Sequence, residues 1–175
     1  MNAETQNPAG RTEPASPVSR NQVREGKYLT FQLAAEHYGL EILKVREIIG
    51  MMPITHVPQT PAFVKGLVNL RGKVIPVVDL RIKFGMSEQE YTERTAIIVV
   101  EISSEGAPVQ MGIIVDNVYE VMTIPAESIE DRPNFGTRMR TEYILGMAKI
   151  KGLVVILLDI DLVLTDEELT LVGGA

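Results

Sequence analysis

Two aspartates, two histidines and one glycine-flanked lysine are the residues whose types and spacing could do chemistry in this chain. Asp79 and Asp159 would make a carboxylate pair for acid–base work. His37 and His56 would be metal ligands, and Gly66 to Lys73 a phosphate-cradling loop. None survives a check of its neighbours. Five residues separate Gly66 from Gly72, and Val74 stands where such a loop needs a Ser or Thr for Mg²⁺. Each histidine lacks a second ligand at metal spacing, so turn or surface roles suit both. Ser103-Ser104 reads as a turn, no Gly-x-Gly-x-x-Gly occurs, and no trio of nucleophile, base and orienting group is present. The two aspartates occupy the same place ahead of short helical patterns, which makes them N-caps. No catalytic residue, metal ligand or cofactor is expected.

The elements that position those aspartates occur twice. Val64-Lys-Gly-Leu-Val-Asn-Leu-Arg-Gly-Lys-Val-Ile-Pro-Val-Val-Asp-Leu returns at 144–160, with Gly66 matching Gly146, Gly72 matching Gly152 and Asp79 matching Asp159. A spacing of 80 residues is too long for a solenoid repeat. Each copy reads as a β-hairpin, turning at Gly72 or Gly152 where φ > 0 is needed, followed by a capped short helix. Pro76 inside a strand marks an edge or a bulge. An earlier echo pairs Gly39, Val45 and Glu47 with Gly112, Val118 and Glu120 at a spacing of 73. The second copy therefore gains about seven residues, placed in a loop over 127–142. Two half-domains span 28–85 and 95–164.

Along the chain, residues 1–24 carry Pro8, Pro14 and Pro17 with little to bury, which predicts a disordered tail. Tyr28 to Leu33 and Tyr38 to Ile42 read as paired strands. Ile42, Val45 and Ile49 fall at helical spacing, which predicts a short helix ending by Gly50. Ile54 to Val57 reads as a brief strand, and Thr60-Pro61 starts a single turn with Gly66 as its terminating glycine. Thr95 to Ile102 and Val109 to Val115 are β-branched strands. Thr165-Asp-Glu-Glu168 is a capping-box pattern opening a C-terminal helix over 165–172. The expected fold is mainly β: a single domain over 25–172 made of two small barrels, the first over 27–90 and the second over 91–164.

Composition excludes several classes. A net charge of −6 and a pI near 5.0 argue against a nucleic-acid surface. Without cysteine there is no disulfide framework and no thiolate site. The longest apolar run, Leu153 to Leu158, is far shorter than a membrane span, and no apolar leader is visible at the N-terminus. A soluble cytoplasmic protein is expected.

Tyr38-Gly-Leu-Glu-Ile-Leu-Lys-Val-Arg-Glu-Ile, Thr60-Pro-Ala-Phe-Val-Lys-Gly, Asn69-Leu-Arg-Gly, Pro76-Val-Val-Asp-Leu-Arg-Ile-Lys-Phe and Gly112-Ile-Ile-Val-Asp resemble the CheW family of bacterial chemotaxis coupling proteins. The resemblance covers about residues 27–170. It implies two pseudo-repeated five-stranded SH3-like β-barrel subdomains with short helices. It also implies an adaptor without catalysis, bridging the cytoplasmic tips of chemoreceptors and the regulatory domain of the histidine kinase CheA. Ring-like self-association in receptor arrays would follow, with the membrane reached only through receptors. Val45, Glu47, Arg71, Val118 and Val121 would face the receptor; Ile42 and Gly66 would lie at the kinase contact. The bland alternatives are core packing for the valines, a helix-ending role for Gly66, and an exposed pair of Glu47 with Arg71 or Arg46. A small-molecule or nucleotide sensor barrel, and the same adaptor serving another receptor–kinase pathway, are the competing readings.

Overall fold

A computed structural model describes residues 25–103, 107–131 and 142–173. The expected disordered tail over 1–24, and most of the expected loop over 127–142, lie outside these residues. The chain begins with β1 (Gly26–Leu33) and β2 (Glu36–Glu41), then a 3-10 turn at Ile42–Lys44 and β3 (Val45–Gly50). The hairpin β4 (Val64–Leu70) and β5 (Lys73–Asp79) ends in α1 (Leu80–Lys83). The order then repeats: β6 (Ala96–Ile102), β7 (Val109–Val115), β8 (Asn117–Ile124), a 3-10 turn at Ala126–Ser128 and the two-residue β9 (Ile129–Glu130). β10 (Ile144–Ile150), β11 (Leu153–Leu158) and α2 (Ile160–Val163) complete the second copy, and α3 (Asp166–Gly173) follows.

The repeat is physical. Asp79 caps α1 by accepting from the Arg81 amide at 2.9 Å, and Asp159 caps α2 by accepting from the Asp161 amide at 3.0 Å. The Asp79 amide donates to the Phe63 carbonyl and the Asp159 amide to the Tyr143 carbonyl, both at 2.8 Å. The C-terminal capping box closes as predicted. Thr165 N donates to the Glu168 carboxylate and Glu168 N to the Thr165 hydroxyl. Glu168 also pairs with Lys83 at 2.6 Å, which docks α3 on α1.

Strand pairing departs from the linear division. One sheet runs β8-β1-β2-β11-β10-β9 and the other β3-β6-β7-β5-β4. Each therefore takes its first two long strands from one copy and its remaining strands, three in the five-stranded sheet and four in the six-stranded one, from the other copy. The parallel joints are matched: Gly39 of β2 lies beside Leu157 of β11, and Gly112 of β7 beside Val77 of β5. Two barrels at 27–90 and 91–164 would have kept β1 and β2 with β4 and β5; the sheets exchange them instead. The far edges of β2 and β7 are covered by β11 and β5 of the other copy, which leaves neither strand as a sheet edge.

The core follows from this exchange. β6 reads Ala-Ile-Ile-Val-Val-Glu-Ile without polar alternation because both its faces are buried. Ile97 and Val99 point into the five-stranded barrel, while Ile98, Val100 and Ile102 join a central cluster between the two sheets. Leu29, Phe31 and Leu40 of the other sheet meet them there. A stack of Phe31, Tyr38, Phe84 and Tyr143, with ring centroids 5.1–6.0 Å apart, lies along the same seam.

Two polar ties brace the corners at neighbouring positions of the repeat with opposite charge order. Asp116 at the β7–β8 corner accepts from the Ala34 amide at 2.7 Å and pairs with buried Arg81 of α1. At the equivalent place Asp161 of α2 accepts from the Ser103 amide at 2.8 Å and pairs with Lys44 beside β3 at 2.7 Å.

Three local expectations change. Residues 45–49 form a strand rather than a helix: burial alternates along β3, and its registry with β6 is antiparallel. Val45, Ile48 and Ile49 are β-branched and suit it. Residues 54–57 make only a single bridge, Thr55 to Leu67, the counterpart of the β9–β10 pairing. Gly66 ends no turn. It sits inside β4 at a register shift with φ 141°, and a Cβ there would lie 2.0 Å from the Thr55 carbonyl oxygen. Pro76 sits in β5 beside this shift, one residue before parallel pairing to β7 begins at Val77.

Candidate functional site

The residues singled out from sequence fall into three groups. Ile42, Val45 and Val118 are half-buried and pack on the central cluster between the sheets. Val45 opens β3 and Val118 lies near the start of β8, so the repeat places them at equivalent points along the seam. Glu47 and Arg71 form an ion pair at 2.5 Å. β3 and β4 are the two edges of the five-stranded sheet, so this pair closes the barrel at the β4–β5 hairpin. The hydrogen bond from Arg71 holds the Glu47 carboxyl below its usual range. Arg46 goes instead to Glu101 on β6.

Val121 stands apart on β8, the edge strand of the six-stranded sheet, and is 49 % exposed. Its repeat counterpart Ile48 is 45 % exposed on β3, the edge of the other sheet. Reading 42–49 as a helix hid Ile48, although the spacing of 73 from Val121 would have found it. Gly66 is buried and can act only through the backbone, by letting 54–55 approach β4. Neither histidine nor either capping aspartate belongs to a group of three or more potential metal ligands among the described residues.

Each barrel has a mouth beside its main hairpin, and the two mouths are built from matched positions. Glu47 and Glu120 both sit at bulges where the edge strand slips against its neighbour. Arg71 and Lys151 both take φ near 53° at the hairpin turns, φ 53° and 52° respectively. In the five-stranded barrel Arg71 reaches Glu47, Lys73 donates to the Gln110 side chain at 3.0 Å, and Ile49, Met51, Ile54 and Leu70 pack over the interior. In the six-stranded barrel a cavity of about 380 Å³ opens, bordered by Glu120 and Lys151.

This architecture has known relatives. Residues 27–168 match the CheW-like domain family. The chain belongs to the CheW-like family. A Chemotaxis protein CheW of Klebsiella aerogenes is 40 % identical over 148 residues, covering 85 % of this chain and 87 % of that protein. One from Rhizobium meliloti is 33 % identical over 140 residues, covering 80 % and 88 %. The crystal structure of the scaffolding protein TtCheW from Thermoanaerobacter tengcongensis superposes with a TM-score of 0.72 at 38 % identity, covering 82 % of this chain and 97 % of that one. The fold is thus the mainly β, doubly repeated CheW architecture read from the sequence. No helix among the described residues is long and apolar enough to cross a membrane.

Proposed function

We propose that this chain is a non-catalytic chemotaxis adaptor that couples the cytoplasmic tips of chemoreceptors to the regulatory domain of the histidine kinase CheA. The match to the CheW-like family over residues 27–168 carries this reading, together with a solved relative described as a scaffolding protein. The protein would work in the cytoplasm, reaching the membrane through receptors and joining rings in arrays.

The layout of the candidate residues supports a role in positioning. Val45 and Val118 lie at equivalent points of the seam between the barrels, on a rigid core. The ion pair of Glu47 with Arg71 presents a fixed charge pattern, Arg71 being 70 % exposed. Val121 adds an exposed apolar contact. These five residues are assigned to the receptor; Ile42 and the segment held by Gly66 are assigned to the kinase.

Co-sedimentation with receptor-bearing membranes and CheA tests the reading. Wild-type protein should bring kinase to the membrane, and Arg71→Glu, which sets like charges against Glu47 at an exposed site, should stay folded and fail to. Wild-type protein that sediments with neither partner would overturn the assignment.

A further inference from the structure

The two mouths differ by substitutions that act together. At the hairpin, Arg71 is matched by Lys151 and Lys73 by Leu153; on the neighbouring strands, Gln110 is matched by His37 and Arg46 by Tyr119. Inside, Ile75 is matched by the smaller Val155 and Val68 by Ala148. The polar latch of one barrel is thereby replaced by apolar walls and empty volume in the other. Among the described residues neither the Glu120 carboxylate nor the Lys151 ammonium has an ion-pair partner, although both border the cavity.

The cavity has a defined interior. Val155, 2 % exposed, is part of its floor, and Met122, Ile150 and Leu153 supply the apolar sides. One wall is a flat aromatic face: His37 stacks on Tyr119 at 5.0 Å, and Tyr119 is fixed by donating its hydroxyl to Gln32 at 3.0 Å. The Thr30 hydroxyl, also at the wall, is already engaged with the Glu120 backbone in both directions, at 2.8 and 3.2 Å. Among the described residues, that leaves the Glu120 carboxylate and the Lys151 ammonium as the charged groups without a partner, beside the ring nitrogens of His37. The volume of about 380 Å³ is within the range of small-molecule sites.

We propose that this mouth binds a small zwitterion with an apolar side chain, of the apolar α-amino-acid class. The side chain enters between Met122, Ile150, Leu153 and Val155 against the Tyr119–His37 face. The ligand ammonium meets Glu120 and its carboxylate meets Lys151. A ligand of single charge satisfies one of these groups and faces the other as a like charge, so the arrangement selects for both charges on one molecule. In the sister barrel Arg71 and Glu47 satisfy each other, which leaves no such demand.

The test is amide NMR titration of the full chain with L-phenylalanine, L-leucine and glycine, and with phenethylamine and 3-phenylpropionate as single-charge controls. Phenylalanine or leucine should shift the amides of Tyr119, Glu120 and 150–153 saturably and leave those of 68–73 unmoved. Loss of one charge-assisted contact should weaken binding about tenfold or more in each control. Lys151→Arg, which rebuilds the sister latch, and Val155→Ile, which narrows the floor, should each abolish the shifts while the remaining spectrum stays folded. The proposal falls if no probe gives a saturable shift up to about 10 mM, a range that detects millimolar affinity. It also falls if glycine or the controls bind as well as phenylalanine, or if both variants bind unchanged. Protection of these amides by receptor membranes or kinase, without any response to amino acids, would overturn it in favour of a protein interface. Co-sedimentation of the same samples reads the adaptor role separately.

Discussion

At the mouth of the five-stranded barrel Arg71 spans the seam to Glu47, whereas at the matched mouth of the six-stranded barrel Lys151 and Glu120 stay apart around a cavity. Backbone differences do not explain this, since the bulges and the positive-φ turns coincide. Side-chain chemistry does. Arginine reaches a carboxylate with a planar fork, whereas lysine brings a compact, strongly hydrated charge. Valine and alanine in place of isoleucine and valine leave room beneath. A duplicated framework can therefore keep one mouth for rigidity and free the other for contact.

The largest expected effect tests whether the two barrels are separable at all. A fragment ending at residue 90 carries β1 and β2 without their partners from the second copy. It should show no cooperative thermal transition alone, and mixing it with the fragment beginning at 91 should restore one. A sharp transition in the first fragment by itself would show that the exchanged pairing is dispensable.

Next come the two corner ties. Arg81 is buried beside Asp116, so Arg81→Ala should lower stability by about 3 kcal/mol or more in denaturant melts. Lys44→Ala removes the matched but partly exposed tie to Asp161 and should lower it by about 1 kcal/mol or less. Equal losses would mean that burial is not what separates them.

The glycines of the parallel joints give a finer contrast. A Cβ at Gly112 would meet Ile97 Cγ2 at 2.7 Å, whereas one at Gly39 would meet the end of the Leu157 side chain at 3.1 Å. Isoleucine is stiff at χ1, so Gly112→Ala should cost about 2 kcal/mol and Gly39→Ala about half that. The reverse order in chemical denaturation would refute the tighter packing of the five-stranded barrel.

The smallest effect concerns α1 and α2, where Lys83 is matched by Val163. Burial pushes the Glu168 carboxyl up, but the hydrogen bonds from Lys83 and the Thr165 amide outweigh it and hold it below its ordinary 4.5. The unfolded chain therefore takes up this proton first as pH falls. The stabilisation is complete above about 4.5 and is lost as pH drops through the lowered folded value. Hydrogen exchange in α3 should rise in that window before exchange in β6 does, and Lys83→Met, which leaves only the Thr165 contacts to Glu168, should weaken the pH dependence.

Local chemistry made much of this legible without coordinates. The hairpins, the caps at Asp79 and Asp159, and the capping box at Thr165 rest on contacts within a few residues. Such contacts leave their pattern in a short stretch of sequence. The duplication was legible because its glycines and aspartates are needed by local geometry in both copies. β3 was misread because Ile42, Val45 and Ile49 satisfy a helical period by accident, while the alternation that defines the strand exists only against β6. Gly66 was misread for a similar reason: its constraint is the Thr55 carbonyl, eleven residues away in the chain.

Sequence alone thus determined the β class, the twofold repeat, the turns and caps, and the kinship to the CheW-like family. Tertiary structure alone decided which copy supplies each strand, that Arg71 rather than Arg46 takes Glu47, and that one mouth closes while the other stays open. Those outcomes depend on which side chains meet across the barrels, and the hydrophobic effect that drives the meeting is non-directional. Only the registry of the assembled sheets gives it direction.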